Sequence, residues 1–321
     1  MSANTVAVDL GGTKITAGLV SPEGRVSGLH TIATPAAAGP AAVLDAVAGV
    51  VDSVTDDASV PAVGVGTAGL VDVERGLIVS ATDAMPGWPG TRVADGLSRR
   101  LAGRWGSTVP VHLQNDVDAH ALGEAWLGAG RGLDPVLLVT VGTGVGAGLV
   151  INGQAHRGAH SAGGEFGHLP AVGAEGLRCP CGRLGHLEAV ASGVALASRW
   201  TGLTGEALDG QGVVTRAVAG DERATGLVTD AAVALGRGIA GLVTVVDPAV
   251  VIIGGGVAQA GPLWWGPMET TLRSELIDLL CDVRMVPAEL GAEAALVGAG
   301  WSARSLLPRE RTDCRNDGTR N

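Results

Sequence analysis

One short design occurs twice in this chain. Residues 5–20 read TVAVDLGGTKITAGLV and residues 136–151 read VLLVTVGTGVGAGLVI. Each is an apolar, β-branched run, a tight turn of glycine and threonine, and a second apolar run, the pattern of two antiparallel strands around a glycine turn. At 321 residues the chain is too long for one ordinary core and suits two units of roughly 150 residues. Two halves opening with the same hairpin predict a duplicated α/β unit: two lobes with a cleft between them.

The remaining pattern fits that expectation. A helix is predicted over Ala41–Val54, and a strand, glycine turn and strand in VPAVGVGTAGLVDVERGLIVS. ADGLSRRLAGRWG reads as a helix, and VPVHLQNDVDAHALGEAWLGAG as a strand running into a helix. AAVALGRGIAGLVTVVDPAVVIIGGGVA reads as a long helix, a DP turn and a buried strand ending in three glycines. The polar stretch after Leu307 is expected to be a disordered tail, 308–321.

Charge and composition exclude several classes. A formal charge of -10, a pI near 5.1 and no basic stripe argue against nucleic acid or an anionic membrane as partner. No apolar segment is read as reaching the ~18 residues that span a bilayer, and MSANTVAVDL lacks the charged and apolar regions of a signal peptide. Four cysteines, two of them clustered, do not form a disulfide framework, so a cytoplasmic enzyme is expected. With seven Trp, one Phe and no Tyr, a ligand site here relies on hydrogen bonds more than on ring stacking.

The glycine motifs divide by context. Gly64, Gly66 and Gly69 have dinucleotide spacing, but the chain continues as a hairpin and not as the helix whose N-terminus would hold a pyrophosphate. DLGGTK and TVGTGVGAG carry more information. In the first, Gly11 and Gly12 let backbone N–H groups approach phosphate oxygens, Thr13 adds a hydroxyl and Lys14 a charge; in the second, Thr143 and Gly144 repeat the arrangement. Facing each other, they would clamp ATP, with the Asp9 carboxylate placed to hold Mg²⁺. Either turn alone reads equally well as a hairpin that needs glycine. In QNDVDAHALGE, Asn115 and Asp116 stand where a strand becomes a helix; Asp116 is a candidate base for an alcohol proton, and both residues are equally candidate helix caps.

The segment HLPAVGAEGLRCPCGRLGHLE, His168 to Glu188, holds half the cysteine of the chain. His168, Cys179, Cys181 and His186 supply the four N/S ligands of a closed structural Zn²⁺ site, the alternative being thiols and histidines that share a loop by chance. A metal there would brace a glycine-rich loop and fix the flanking carboxylates of Glu165 and Glu188, which otherwise read as solvated charges.

Taken in order, these motifs resemble the ROK family of sugar kinases and related repressors, within the actin-like and hexokinase-like superfamily. The likeness runs to about Arg304. DLGGTK resembles the family's first phosphate motif, Asn115-Asp116 its catalytic pair, VTVGTGVGAG its second phosphate motif, Glu165 to His168 its ExGH element and CPCGRLGHLE its cysteine signature. The resemblance implies two RNase H-like (actin-like ATPase) lobes: residues 1–115, joined by a C-terminal helix at about 291–305, and residues 116–290. It implies transfer of the γ-phosphoryl group of ATP, with Mg²⁺, to the 6-hydroxyl of a hexose. Asp116 would be the base; Gly69, Asn115, Glu165, His168 and Glu188 would bind sugar, with His168 also on zinc; Gly254, Gly255 and Gly256 would approach the adenosine. A homodimer or homotetramer is implied as well.

Two positions depart from the family pattern. His186 replaces its third zinc cysteine, substituting a neutral donor for a thiolate. Ala84 stands where many glucose-specific members have Asn, so an N-acetylmannosamine or N-acetylglucosamine kinase is the alternative to a glucokinase. A non-catalytic sugar sensor would not need Asp116. A repressor would carry a winged helix-turn-helix, whereas eight residues precede Asp9.

Overall fold

The structure is a computed structural model and describes residues 3–55, 60–81 and 85–307. The first sheet is built from β1 (Thr5–Leu10), β2 (Lys14–Val20) and β3 (Val26–Ala33), followed by α1 (Pro40–Thr55) and β4 (Val63–Thr67). A separate hairpin, β5 (Leu70–Asp72) and β6 (Leu77–Ser80), precedes α2 (Val93–Trp105) and β7 (Val111–Asn115). The strand order is β3-β2-β1-β4-β7, with β1 antiparallel to β2 and parallel to β4. The chain then runs through α3 (Asp116–Trp126) into β8 (Val136–Val141), β9 (Val145–Ile151) and β10 (Gln154–Ala155). Helices α4 (Glu188–Ala191), α5 (Gly193–Thr204), α6 (Gly210–Val218) and α7 (Glu222–Val246) lead to β11 (Val250–Gly254), α8 (Pro262–Glu275), β12 (Met285–Pro287) and α9 (Ala294–Arg304). The second sheet has the order β10-β9-β8-β11-β12.

The two sheets therefore repeat one plan. A leading strand pairs antiparallel with its hairpin partner on one side and parallel with a later strand on the other: Asp9 lies opposite Thr16 and beside Gly66, and Thr140 lies opposite Gly146 and beside Gly254. β-Branched residues fill the pleated inner faces because they pack well there. Val6, Val8 and Leu10 join α1 and α2 in one core, and Val139, Val141 and Ile253 join α5 to α8 in another. Burying such side chains contributes roughly 1.5–3 kcal/mol each.

Three local features position the cleft. α3 starts sharply because the Asn115 side chain accepts from Val117 N at 2.8 Å and Asp118 N at 3.2 Å, while Asp116 and Asp118 complement the positive end of the helix. Gly69 sits at φ 101, and a Cβ there would meet the Ser80 carbonyl, so only glycine makes the turn into β5. α9 returns from the second sheet to pack on α3, β1 and β4, and Gly298 lets its backbone touch the Ala119 carbonyl region of α3.

α7, at 25 residues with an 18-residue stretch of mean hydropathy 1.4, is long and apolar enough to cross a membrane by those two measures. Its stripe of Leu227, Ala231, Leu235, Ile239 and Val243 is buried at i, i+4 spacing, which makes it the central helix of the second core. The tail 308–321 and Ala84 lie outside the described residues. Trp88 is fully buried within the first core.

Candidate active site

A cavity of about 730 Å³ opens between the two sheets, and a second of about 690 Å³ adjoins it, sharing His120, Gly255, Gly291 and Ala292. The walls of the first come from both hairpins. Asp9 and Lys14 stand on β1 and β2, Thr143 and Gly144 on the turn between β8 and β9. Gly69, Asn115, Asp116, Glu165 and Glu188 line the same space. Gly254 and Gly256 line the second cavity, and Gly255 lines both. Gly11, Gly12 and Thr13 form the hairpin turn without lining either; Gly11 N donates to Lys14 O at 3.0 Å, which tightens the turn and leaves its tip at the rim.

Asn115 has two duties. Its oxygen caps α3, and its Nδ2 donates to the Gly69 carbonyl at 3.0 Å, tying β7 to the turn after β4. The capping reading of the Asn-Asp pair therefore holds for Asn115, and a capping residue also fixes where the next side chain points. Asp116 accepts from Val117 N at 2.9 Å, and burial raises its pKa above the usual carboxylate range, opposed by hydrogen bonds from the helix start and Asn115. Asp9 is pushed up to about 6, first by burial and then by the charge of Asp116, with Lys14 opposing. Burial also raises Glu165, opposed by His168 and reinforced by Glu188 and Asp116. This concentration of half-buried carboxylates beside Lys14 suits a divalent cation arriving with a polyphosphate, so the donor set fits Mg²⁺ at Asp9.

Glu188, the first residue of α4, reaches across the chain. Its Oε2 accepts from Val145 N at 3.0 Å, locking the cysteine-rich segment onto the turn between β8 and β9. Within that segment the backbone folds on itself: Cys179 N donates to Arg183 O, Ala171 N to Gly185 O and Leu187 N to Leu169 O. The result brings His168, Cys179, Cys181 and His186 together, with their ligand atoms all within 4.8 Å of one another. Cys179 Sγ lies 3.5 Å from His168 Nδ1, and Cys181 Sγ 3.2 Å from His186 Nδ1. Bond lengths of about 2.0–2.3 Å to a tetrahedral Zn²⁺ imply ligand separations of about 3.3–3.8 Å, so this donor set fits that ion. Burial pushes the Cys179 thiol up to about 11, a cost that a bound cation reverses. The other nitrogen of His168, Nε2, lies 3.4 Å from Glu165 Oε2. One imidazole thus joins the cysteine cluster to a carboxylate on the cleft.

Known proteins arrange themselves around the same geometry. Residues 5–305 match the ROK family. The chain belongs to the ROK family. It is 34% identical to the glucokinase of Thermotoga maritima, over 95% of this chain and 97% of that protein. Among solved structures, the ROK hexokinase of Thermus thermophilus superposes with a TM-score of 0.82 at 36% identity, covering 94% of this chain and 98% of that one. A ROK family glucokinase from Streptomyces griseus, in complex with glucose and AMPPNP, gives a TM-score of 0.79 at 34% identity, over 94% and 99% of the two chains.

In this ROK chain several site residues escape sequence reading. His120 lies one helical turn beyond Asp116 on α3, and its spacing could have placed it on the cleft. Its Nε2 is buried without a partner among the described residues, and burial lowers its pKa. Thr16, Leu29 and Thr31 line the cleft from β2 and β3, and Gly291 to Glu293 from the segment before α9. That segment is held by Glu124, fully buried in α3, which accepts from Glu289 N at 3.0 Å and Leu290 N at 2.8 Å. No local signal marks a contact between residues so far apart in sequence.

Proposed function

We propose that the chain is an ATP-dependent hexose kinase that phosphorylates the 6-hydroxyl of a sugar, with glucose as first acceptor. The observation that carries the reading is Asp116: a desolvated carboxylate held at a helix start, in a cleft walled by two glycine-threonine hairpins. The similarity to a ROK glucokinase that binds glucose and AMPPNP supports the same assignment. The catalytic lobes divide at residues 115 and 116, with 291–305 returning to the first.

In this reading the O6 hydroxyl attacks the γ-phosphorus, the bond to the bridging β,γ oxygen breaks, ADP leaves and Asp116 receives the proton. The raised pKa suits that role, because a stronger base takes the proton as negative charge leaves the alcohol. Asn115, Glu165, His168, Glu188 and the Gly69 backbone would hold the remaining sugar hydroxyls. Lys14, Thr143, Gly144 and Gly255 would meet the phosphates, the turn Gly11 to Thr13 would close over them, and Gly254 and Gly256 would approach the adenosine. Mg²⁺ at Asp9 would neutralise charge on the phosphates. Zn²⁺ on His168, Cys179, Cys181 and His186 would take one nitrogen of His168 and fix its ring, so that the other faces the sugar beside Glu165. We place the enzyme in the cytoplasm as a homodimer or homotetramer.

ADP release with Mg·ATP, measured over glucose, mannose, N-acetylglucosamine and N-acetylmannosamine, tests the proposal. Turnover highest with glucose is expected. An N-acetylhexosamine as the best acceptor would replace glucose and direct attention to Ala84; no turnover on any sugar would overturn the kinase reading.

A further inference from the structure

A third cavity, of about 260 Å³, lies between the two sheets at the crossing of α3, α9 and the end of β10. It does not belong to the cleft. Asp116 and His120 line the cleft from α3, whereas Leu122 lines this cavity and Asp118 holds its Arg157 wall. Residues two apart on a helix point about 200° apart, so the two spaces occupy opposite faces of α3.

The polar walls are His112, Gln154, Arg157, Ser302, Arg304 and Ser305. Arg157 is committed: its Nε donates to Asp118 Oδ2 at 3.0 Å and its NH2 to Gln114 Oε1 at 3.0 Å. Ser302 donates to the same Gln114 oxygen at 2.9 Å. Two further groups are not committed. His112 Nδ1 and Arg304 NH1 are both buried with no hydrogen-bond partner among the described residues. Buried polar groups are rarely left so; the Arg304 guanidinium calls for acceptor atoms, and His112, which burial keeps neutral, donates from Nδ1 in one of its two tautomers. The Arg157–Asp118 pair is internally neutral, so Arg304 supplies the positive charge of the cavity, offset in part by the exposed Glu23 carboxylate, whose pKa it helps to lower. Trp301 and Leu122 form an apolar wall, which lowers the local dielectric and strengthens an interaction with that charge.

We propose that this cavity binds a small oxyanion of the phosphate class, with Arg304 and His112 as its donors. Its volume is too small for a nucleotide and admits inorganic phosphate or the phosphate end of a short ester. An anion seated there would touch the guanidinium that links Gln114 in β7 to Asp118 in α3, at the junction between the two sheets.

Calorimetric titration of the full chain with inorganic phosphate, and separately with glycerol phosphate, tests this. Both titrations are run with saturating AMPPNP and repeated in a Lys14→Ala background, so that the cleft does not report. Saturable binding is expected to survive both conditions. Arg304→Met and His112→Phe should each weaken it by about tenfold, the loss of one charge-assisted or buried hydrogen bond, while Arg304→Lys retains most of it. Stronger binding of the ester would identify its source as an organic phosphate, and equal binding inorganic phosphate. The proposal falls if no saturable binding occurs, if AMPPNP abolishes it, or if Arg304→Met and His112→Phe bind as the parent does. None of these outcomes bears on the kinase reading, because neither residue touches the cleft.

Discussion

At the scale of single residues, the carboxylates on the cleft set the chemistry through their desolvation. Replacing Asp116 with Asn keeps the shape and removes the base, so Asp116→Asn should bind sugar within about threefold of the parent and lose kcat by about 10²–10⁴-fold. Retained turnover would remove Asp116 from its role. The acid limb of kcat/KM should lie above the ordinary carboxylate range of about 4, since burial raises Asp116. Asp9 gives a second test, through stability. Its pKa of about 6 means that the folded protein holds this proton more tightly than the unfolded chain does. Ionising it opposes folding, so stability from this group is present below about pH 4 and is lost as the pH rises through about 6, by on the order of 2–3 kcal/mol. Asp9→Asn should therefore melt at a higher temperature than the parent at pH 7.5 and at nearly the same temperature at pH 4, while losing phosphoryl transfer. Equal melting temperatures at pH 7.5 would show that Asp9 is not strained by its burial.

At the scale of elements, the segment from Glu165 to Glu188 acts as one unit, because His168 joins the cysteine cluster to Glu165 and Glu188 grips Val145. Cys181→Ser should lower bound zinc from about one per chain to near zero, the thiolate being replaced by a far weaker donor. Sugar KM should rise about tenfold or more, with ATP KM changed less than about threefold, since support of the sugar carboxylate is lost and the phosphate turns are spared. Metal-free protein with full sugar affinity would show that backbone bonds alone hold the segment. His186→Cys should keep the metal. The clustering of His168, Cys179, Cys181 and His186 was legible in sequence because few residue types offer soft donors, and both hairpins were legible because period-two apolar runs around a glycine turn are local signals. Other elements were not. Glu124 looks like an ordinary helix glutamate until residues 289 and 290 arrive to donate to it. The link from Arg157 to Gln114 and Asp118, and the return of α9 onto the first sheet, likewise depend on partners that the local pattern does not name.

At the scale of the whole molecule, the duplication explains why the site needs both sheets. Lys14 lies on one hairpin and Thr143 on the other, so on the proposed reading phosphates held by both would bridge the cleft. Before ligand arrives, the charge of Asp116 raises the pKa of Asp9 on its own sheet and of Glu165 from the second half, and the latter repulsion favours separation of the walls. On the proposed reading, Mg·nucleotide would supply positive charge at Asp9 and a sugar would supply hydroxyl donors to Asn115, Glu165 and Glu188, each removing part of the barrier to approach. α3 and α9 cross at the junction through close backbone contact at Gly298, which allows the sheets to rotate about a packed point without unfolding either core. Closure should then be cooperative: small-angle scattering should give a smaller radius of gyration with glucose and AMPPNP together than with either alone, and glucose should tighten AMPPNP by the same factor as AMPPNP tightens glucose. Gly298→Val would force its side chain into the Ala119 carbonyl and push α9 away from α3. It should lower the melting temperature and abolish the cooperative contraction, so that each ligand binds with the same affinity whether or not the other is present. Independent binding in the parent, with an unchanged radius, would mean that the two hairpins are already at their working distance and that the cleft excludes water by shape alone.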